Sequence, residues 1–225
     1  MRSQNFDLGI VVDPDVDRLA FVCEDGSMYG EEYTLVTVAD YLLERNSGGN
    51  TVSNLSSTRA LRDVTSKFGG EYFASAVGEV NVVEKMKAVN ALIGGEGNGG
   101  VILPDLHYGR DALAGIALFL SQYVNKGLSL SALRDSYPQY KMAKKKIQLT
   151  PEIDVDAVLA EMAERKKSFD VNLIDGVKID FPESWVHLRK SNTEPIIRIY
   201  SEASTFEKAN DLADEIIGEI KSLIK

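Results

Sequence analysis

Apolar residues come in short blocks at the start of the chain. Leu8–Val12 and Leu19–Cys23 flank an acidic turn, and the pattern predicts strand, loop, strand. Glu24-Asp25-Gly26-Ser27 then turns the chain. Residues 31–45 carry Tyr33, Leu35, Val36, Val38, Ala39 and Leu42 behind acidic residues in the first turn, which predicts a helix. Asn46-Ser47-Gly48-Gly49-Asn50 breaks the pattern, and a domain boundary is expected there. Beyond it the period alternates: strand 51–54, helix 58–68, strand 72–76, helix 82–90, then Ala91-Leu92-Ile93 entering a glycine cluster and a long helix over 110–124. Strands alternating with helices of this length predict an α/β domain, a parallel sheet covered by helices.

After Pro138 the texture changes. Lys141, Lys144, Lys145 and Lys146 precede the apolar stretch at Ile147, and a helix is expected at 154–165. Three strand-like runs follow, 176–181, 185–189 and 195–201. Ser204-Thr205-Phe206-Glu207 fits a capping box in which the Ser204 hydroxyl and the Glu207 carboxylate each satisfy an orphan backbone donor. Ala209, Leu212, Ala213, Ile216, Ile217, Ile220 and Leu223 continue at helical spacing. This predicts a separate, smaller α+β module.

A formal charge of −9 argues against a role coating nucleic acid or an anionic membrane unless a local basic patch overrides the average, and the sequence shows none. Cys23, the only cysteine, excludes a disulfide framework and a Cys-rich zinc site and reads as a small buried hydrophobe. The apolar runs are too short to span a bilayer, so a cytoplasmic protein is expected.

Three segments carry chemistry. Asp13-Pro14-Asp15-Val16-Asp17-Arg18 sets carboxylates at i, i+2 and i+4 in a tight loop, where they repel unless a cation sits among them. Carboxylate oxygens suit magnesium or calcium, and the alternative is a solvated acidic turn. An EF-hand is excluded although Glu24 falls at the twelfth position, because Arg18 stands where glycine is needed and the flanks are strands. Gly94-Gly95-Glu96-Gly97-Asn98-Gly99-Gly100 lets backbone approach a ligand, with Glu96 and Asn98 able to accept from and donate to sugar hydroxyls. It also reads as a flexible turn. Arg189-Lys190-Ser191-Asn192-Thr193-Glu194-Pro195, with Arg198 beyond it, offers guanidinium forks and turn amides to a phosphate, or is a polar hairpin turn. Gly109-Arg110-Asp111 either binds phosphate or caps the helix behind it. His107 and His187 read as structural, and no nucleophilic triad can be assembled from them.

Taken in order, these loops resemble the α-D-phosphohexomutases, the family of phosphoglucomutases, phosphomannomutases and phosphoglucosamine mutases, from Asp7 onward. The resemblance implies a mixed-sheet α/β domain of that family's type covered by helices, then a smaller α+β domain with an antiparallel sheet. It implies an isomerase that interconverts hexose 6-phosphate and 1-phosphate through a bisphosphate, with glucosamine the favoured sugar. Asp13, Asp15 and Asp17 then match the Mg2+ ligands and Arg18 the basic residue that serves catalysis. Glu96 matches the sugar-reading carboxylate, with Asn98 where serine is usual and Gly100 where histidine is common. Arg110, Arg189, Ser191, Asn192, Thr193 and Arg198 are the remaining substrate-binding candidates, Asn192 replacing a usual glycine. The Ser-His-Asn-Pro-type segment that carries the phosphoserine is absent, so the expectation is a C-terminal portion lacking the N-terminal domains and inactive alone. In this reading residues 1–46 end the second domain, 47–148 form the third and 149–225 the fourth. The expected partners are the hexose phosphate and those missing domains, not nucleic acid or membrane, and a homodimer is left open. The alternative is a non-catalytic phosphosugar-binding module.

Overall fold

In the computed structural model, which describes residues 6–150, 152–191 and 194–224, the acidic turn joins β1 (Leu8–Val12) to β2 (Leu19–Cys23). The two strands pair antiparallel, Leu8 opposite Cys23 and Val12 opposite Leu19. Leu19, Phe21 and Cys23 are buried while Ile10, Val11 and Val12 are exposed, so β2 carries the pair's contribution to the core. Phe21 stacks on Phe119 with ring centroids 3.6 Å apart, and Tyr29 meets Phe119 edge-on at 4.9 Å.

Behind the pair the chain runs α1 (Glu31–Asn46), β3 (Asn50–Asn54), α2 (Ala60–Lys67), β4 (Tyr72–Ser75), α3 (Glu79–Ala88), β5 (Ala91–Glu96), β6 (Gly100–Ile102), α4 (Ala112–Lys126) and α5 (Leu130–Asp135). The sheet order is β4-β3-β5-β6. β4, β3 and β5 are parallel, as alternation with helices requires, and β6 returns antiparallel through the glycine turn, which makes the sheet mixed. Gly99 sits in that turn at φ +86°, and a Cβ there would lie 2.1 Å from the Leu19 carbonyl oxygen. Only glycine meets both demands. α4 starts where Asp111 accepts from the amides of Leu113 and Ala114, at 2.8 and 3.0 Å. The capping alternative for Asp111 is therefore the observed one, and the helix begins two residues later than the pattern placed it.

The second part comprises β7 (Lys141–Gln148), α6 (Val155–Arg165), β8 (Asp170–Asn172), β9 (Val177–Asp180), β10 (Trp185–Lys190), β11 (Ile196–Ala203) and α7 (Phe206–Leu223). Its five strands form an antiparallel sheet in the order β7-β11-β10-β9-β8. Ile147, Val177, Ile179, Val186, Leu188, Ile197 and Ile199 share a core with Val158, Leu159 and Met162 of α6 and Ala213, Ile216 and Ile220 of α7. The cap of α7 differs from the capping-box expectation by one residue. Thr205, in extended backbone, accepts from the Lys208 amide at 3.2 Å, and Ser204 lies outside the helix.

Two compact units result, Met1–Gln139 and Tyr140–Lys225. The break expected after residue 46 does not separate compact units, because the buried face of α1, including Leu35, Val36 and Val38, belongs to the first of them. The start expected at 149 falls instead at 140, because β7 pairs with β11 along its whole length.

Candidate functional site

Backbone contacts bring the acidic loop and the glycine loop of the first unit together. Leu19 donates its amide to the Gly99 carbonyl at 3.2 Å, Arg18 bridges Gly100, and Ala112 donates to the Val16 carbonyl at 3.1 Å. A concavity of about 240 Å³ lies between the loops, lined by Val11, Val12, Asp13, Arg18, Leu19, Ala20, Glu31 and Asn98. That is below the usual 300–1,000 Å³ of a complete small-molecule pocket.

Within the acidic loop Asp13 folds back on its own backbone. Its Oδ1 accepts from the amides of Asp17 (3.1 Å) and Arg18 (3.2 Å), and its Oδ2 lies 3.2 Å from Arg18 Nε. Burial pushes the Asp13 carboxyl up, but these donors outweigh it and hold the group below the ordinary carboxylate value. Asp17 pairs with Arg110 and lies 3.5 Å from Arg18 Nε, while Asp15 is exposed. Magnesium is the cation expected among these carboxylates. The oxygen donors have the hardness magnesium requires, yet among the described residues no group of three or more His, Cys, Asp or Glu is arranged to hold a metal ion. Two arginines take the place of a cation at Asp13 and Asp17.

Glu96 ends β5, is 4% exposed, and is fully engaged. Its Oε1 accepts from Asn54 Nδ2 (2.8 Å) and the Gly78 amide (3.2 Å), and its Oε2 from Arg110 Nη1 (2.8 Å) and Asn98 Nδ2 (3.4 Å). Four donors fill the roughly four acceptor positions of a carboxylate. The longest of them is Asn98, which also accepts from the Gly100 amide at 3.1 Å through Oδ1. Arg110, expected to hold substrate, spends its guanidinium on Asp17 and Glu96, with Glu79 at 3.6 Å, and its own amide donates to Glu79 Oε1 at 2.8 Å. Asn54, Gly78 and Glu79 were not legible as site residues. One signal could have found Asn54: ligand sites of open α/β sheets lie beyond the carboxyl ends of strands, and Asn54 and Glu96 end neighbouring strands β3 and β5.

In the second unit Arg189 Nε lies 2.8 Å from Asp175 Oδ2. Arg198 is exposed and stands directly opposite Arg189 across β10 and β11, with Lys146 of β7 opposite Arg198. Asp175 offsets the charge of Arg189, while Arg198 and Lys146 stand side by side as like charges that an anion would relieve. A concavity of about 430 Å³ beside the row is lined by Lys144, Lys145, Lys146, Glu194, Ile196, Arg198 and Tyr200. Ser191 is buried, donates its amide to the Ile196 carbonyl at 3.1 Å, and lines a different concavity together with Lys190, Pro195 and Asp154. Asn192 and Thr193 lie outside the described residues. His107 pairs with Asp111 at 3.0 Å at the start of α4, and His187 is buried in the second sheet, its Nε2 at 2.6 Å from the Asp175 carbonyl oxygen.

Comparisons with known proteins give the family and the fold. The family model for phosphoglucomutase/phosphomannomutase α/β/α domain III matches residues 30–140, and that for the C-terminal domain of the same family matches 142–219. The sequence reading places those limits at 47 and 149. A protein of Thermococcus kodakarensis named phosphoglucomutase/phosphomannomutase is 36% identical over all of the chain and 49% of its own length. A probable phosphoglucosamine mutase of Methanopyrus kandleri is 31% identical over all of the chain and 50% of its own length. The chain thus spans about half the length of the curated relatives it matches. A crystal structure of a phosphoglucomutase/phosphomannomutase family protein from Burkholderia thailandensis superimposes with a TM-score of 0.81 at 25% identity, over 98% of this chain and 47% of that one. No helix among the described residues is long and apolar enough to cross a membrane.

Proposed function

Because the chain belongs to the phosphoglucomutase/phosphomannomutase family, we propose that it supplies the sugar- and phosphate-recognition elements of an enzyme interconverting hexose 1-phosphate and hexose 6-phosphate through a bisphosphate. One observation carries the reading: the acidic loop and the glycine loop, distant in sequence, are packed together with Arg110 between them. Asn98 lines the concavity, and a sugar hydroxyl takes the Glu96 acceptor position that Asn98 Nδ2 fills at 3.4 Å. Arg18, exposed beside Asp13, offers positive charge where phosphoryl oxygens gain negative charge during transfer. Arg189, Ser191 and Arg198 bind the phosphate that is not reacting, the guanidinium forks matching its oxygens. Holding sugar and phosphate in place makes transfer close to an intramolecular event. The phosphoserine donor comes from sequence outside these 225 residues.

Magnesium enters this reading through the family. Asp13, Asp15 and Asp17 have the donor chemistry for it, and Arg18 and Arg110 would have to release the carboxylates of Asp13 and Asp17. A cytoplasmic location and glucosamine phosphate as substrate belong to the same proposal.

The test is an assay of hexose 1-phosphate to 6-phosphate conversion by a protein joining this chain to a phosphoserine domain, with glucose, mannose and glucosamine phosphates as substrates. Turnover of at least one supports the reading. Binding without turnover of any leaves a non-catalytic phosphosugar module in its place. In the chain itself, Arg189→Gln is expected to weaken inorganic phosphate binding by about tenfold, the size of one lost charge-assisted contact, as read by calorimetry.

A further inference from the structure

Resting on the phosphosugar reading, we infer that Arg110 is a positioning residue for the sugar loop, that Gly100 is the opening which admits it, and that the pair sets the hexose discrimination of this chain. Gly100 is not demanded by its own backbone, for it lacks the positive φ that marks Gly99 beside it. Its missing side chain is demanded by Arg110. A Cβ at position 100 would lie 2.4 Å from Arg110 Cδ, 3.1 Å from Arg110 Cγ and 3.1 Å from Asn98 Oδ1. The first contact falls in mid-chain of the arginine, so the guanidinium cannot stay where it is if the space closes.

Both ends of Arg110 are committed. Its amide is held by Glu79 at 2.8 Å, and its guanidinium is shared between Asp17 and Glu96. Its side chain is 17% exposed and does not line the concavity that Asn98 lines. Arg110 therefore acts through other residues. Its Nη1 and the Asn98 amide converge on one oxygen of Glu96, so the guanidinium decides where that oxygen points and how firmly Asn98 is held. A Cβ at 100 and the present course of the Arg110 side chain exclude each other sterically.

The test is a double-mutant cycle on the whole 225-residue chain: wild type, G100A, R110A and the double variant, with R110K beside them. Urea midpoints and calorimetric affinities for glucosamine 6-phosphate, glucose 6-phosphate and inorganic phosphate are the readouts. G100A is expected to lower the midpoint and weaken both sugar phosphates in the wild-type background, and to add almost nothing once Arg110 is gone. R110A is expected to weaken both sugar phosphates by about tenfold or more, to change the ratio between them, and to leave inorganic phosphate unchanged. R110K keeps the charge without the fork and recovers only part of the loss. Additive effects of G100A and R110A overturn the inference, as does an R110A chain that loses inorganic phosphate and sugar phosphates in equal proportion. If R110A does not fold, G100A and R110K, which both keep a cation, decide by the same ratios. A wild-type chain that binds inorganic phosphate but neither sugar phosphate overturns the functional reading and removes the sugar role with it. The cycle in the urea midpoints then shows separately whether the two residues are coupled.

Discussion

Glu96→Ala is expected to destabilise the first unit by about 3–5 kcal/mol, the range for removing one partner of a buried, hydrogen-bonded ion pair. The carboxylate is buried and accepts from Asn54, Gly78, Asn98 and Arg110. Its removal strands the Asn54 amide and the Gly78 N–H without acceptors and leaves Arg110 with Asp17 as its closest anion, Glu79 being at 3.6 Å. A cavity adds to the polar cost. Glu96→Gln keeps the volume and its amide oxygen can still accept from Asn54 and Gly78, so it is expected to cost less than Glu96→Ala, but its NH2 then faces the donors Arg110 Nη1 and Asn98 Nδ2 and both of those bonds are lost. Urea unfolding followed by a first-unit signal measures both. Equal stability of wild type and Glu96→Ala would show that the network contributes no net free energy.

A second large effect belongs to the second unit and appears with pH. His187 is 1% exposed, on β10. Burial pushes its pKa down to about 4, with the charges of Lys178 and Arg189 adding to the shift and the Asp175 carbonyl opposing it. Above the unfolded value of about 6.5 the ring is neutral in both states and contributes no pH dependence. As pH falls from there toward 4, the unfolded chain takes up a proton that the folded chain refuses, so stability falls with falling pH. Below 4 both states are protonated and the loss is complete. A difference of about two and a half units corresponds to about 3 kcal/mol. Unfolding free energies between pH 7 and pH 4 should show this slope for wild type, and His187→Gln should lack that part of it. Identical slopes for the two proteins would place the acid sensitivity on other groups.

The parts of this structure that were legible in the sequence are those whose signal is local. Leu19, Phe21 and Cys23 alternate with partly exposed residues on β2, and α7 repeats its apolar positions every three to four residues. β7 was missed because Lys141, Lys144, Lys145 and Lys146 dominate its composition. It is a strand because its backbone pairs with β11 while Ala143 and Ile147 turn inward. α5 is six residues long, too short to show a period. The Asp13, Asp15 and Asp17 spacing was legible, but its neutralisation was not, since the arginine that pairs with Asp17 comes from the start of α4. The glycine loop was likewise legible as a turn carrying Glu96 and Asn98, while the residues that saturate Glu96 arrive from β3 and from the turn before α3. Such non-local pairs leave no periodic trace. The shift from Ser204 to Thr205 at the last cap is the one-residue uncertainty usual at helix ends.

The claim on which the account turns is that the packed acidic and glycine loops read sugar while the Arg189 segment reads phosphate. An amide-resolved NMR titration of the chain with glucosamine 6-phosphate, repeated with inorganic phosphate, addresses both halves at once. The account predicts that the sugar phosphate shifts the Asn98 and Gly100 amides together with that of Ser191, and that inorganic phosphate shifts Ser191 while leaving Asn98 and Gly100 in place. Identical shift patterns for the two ligands, or a sugar phosphate that moves neither Asn98 nor Gly100, would contradict it.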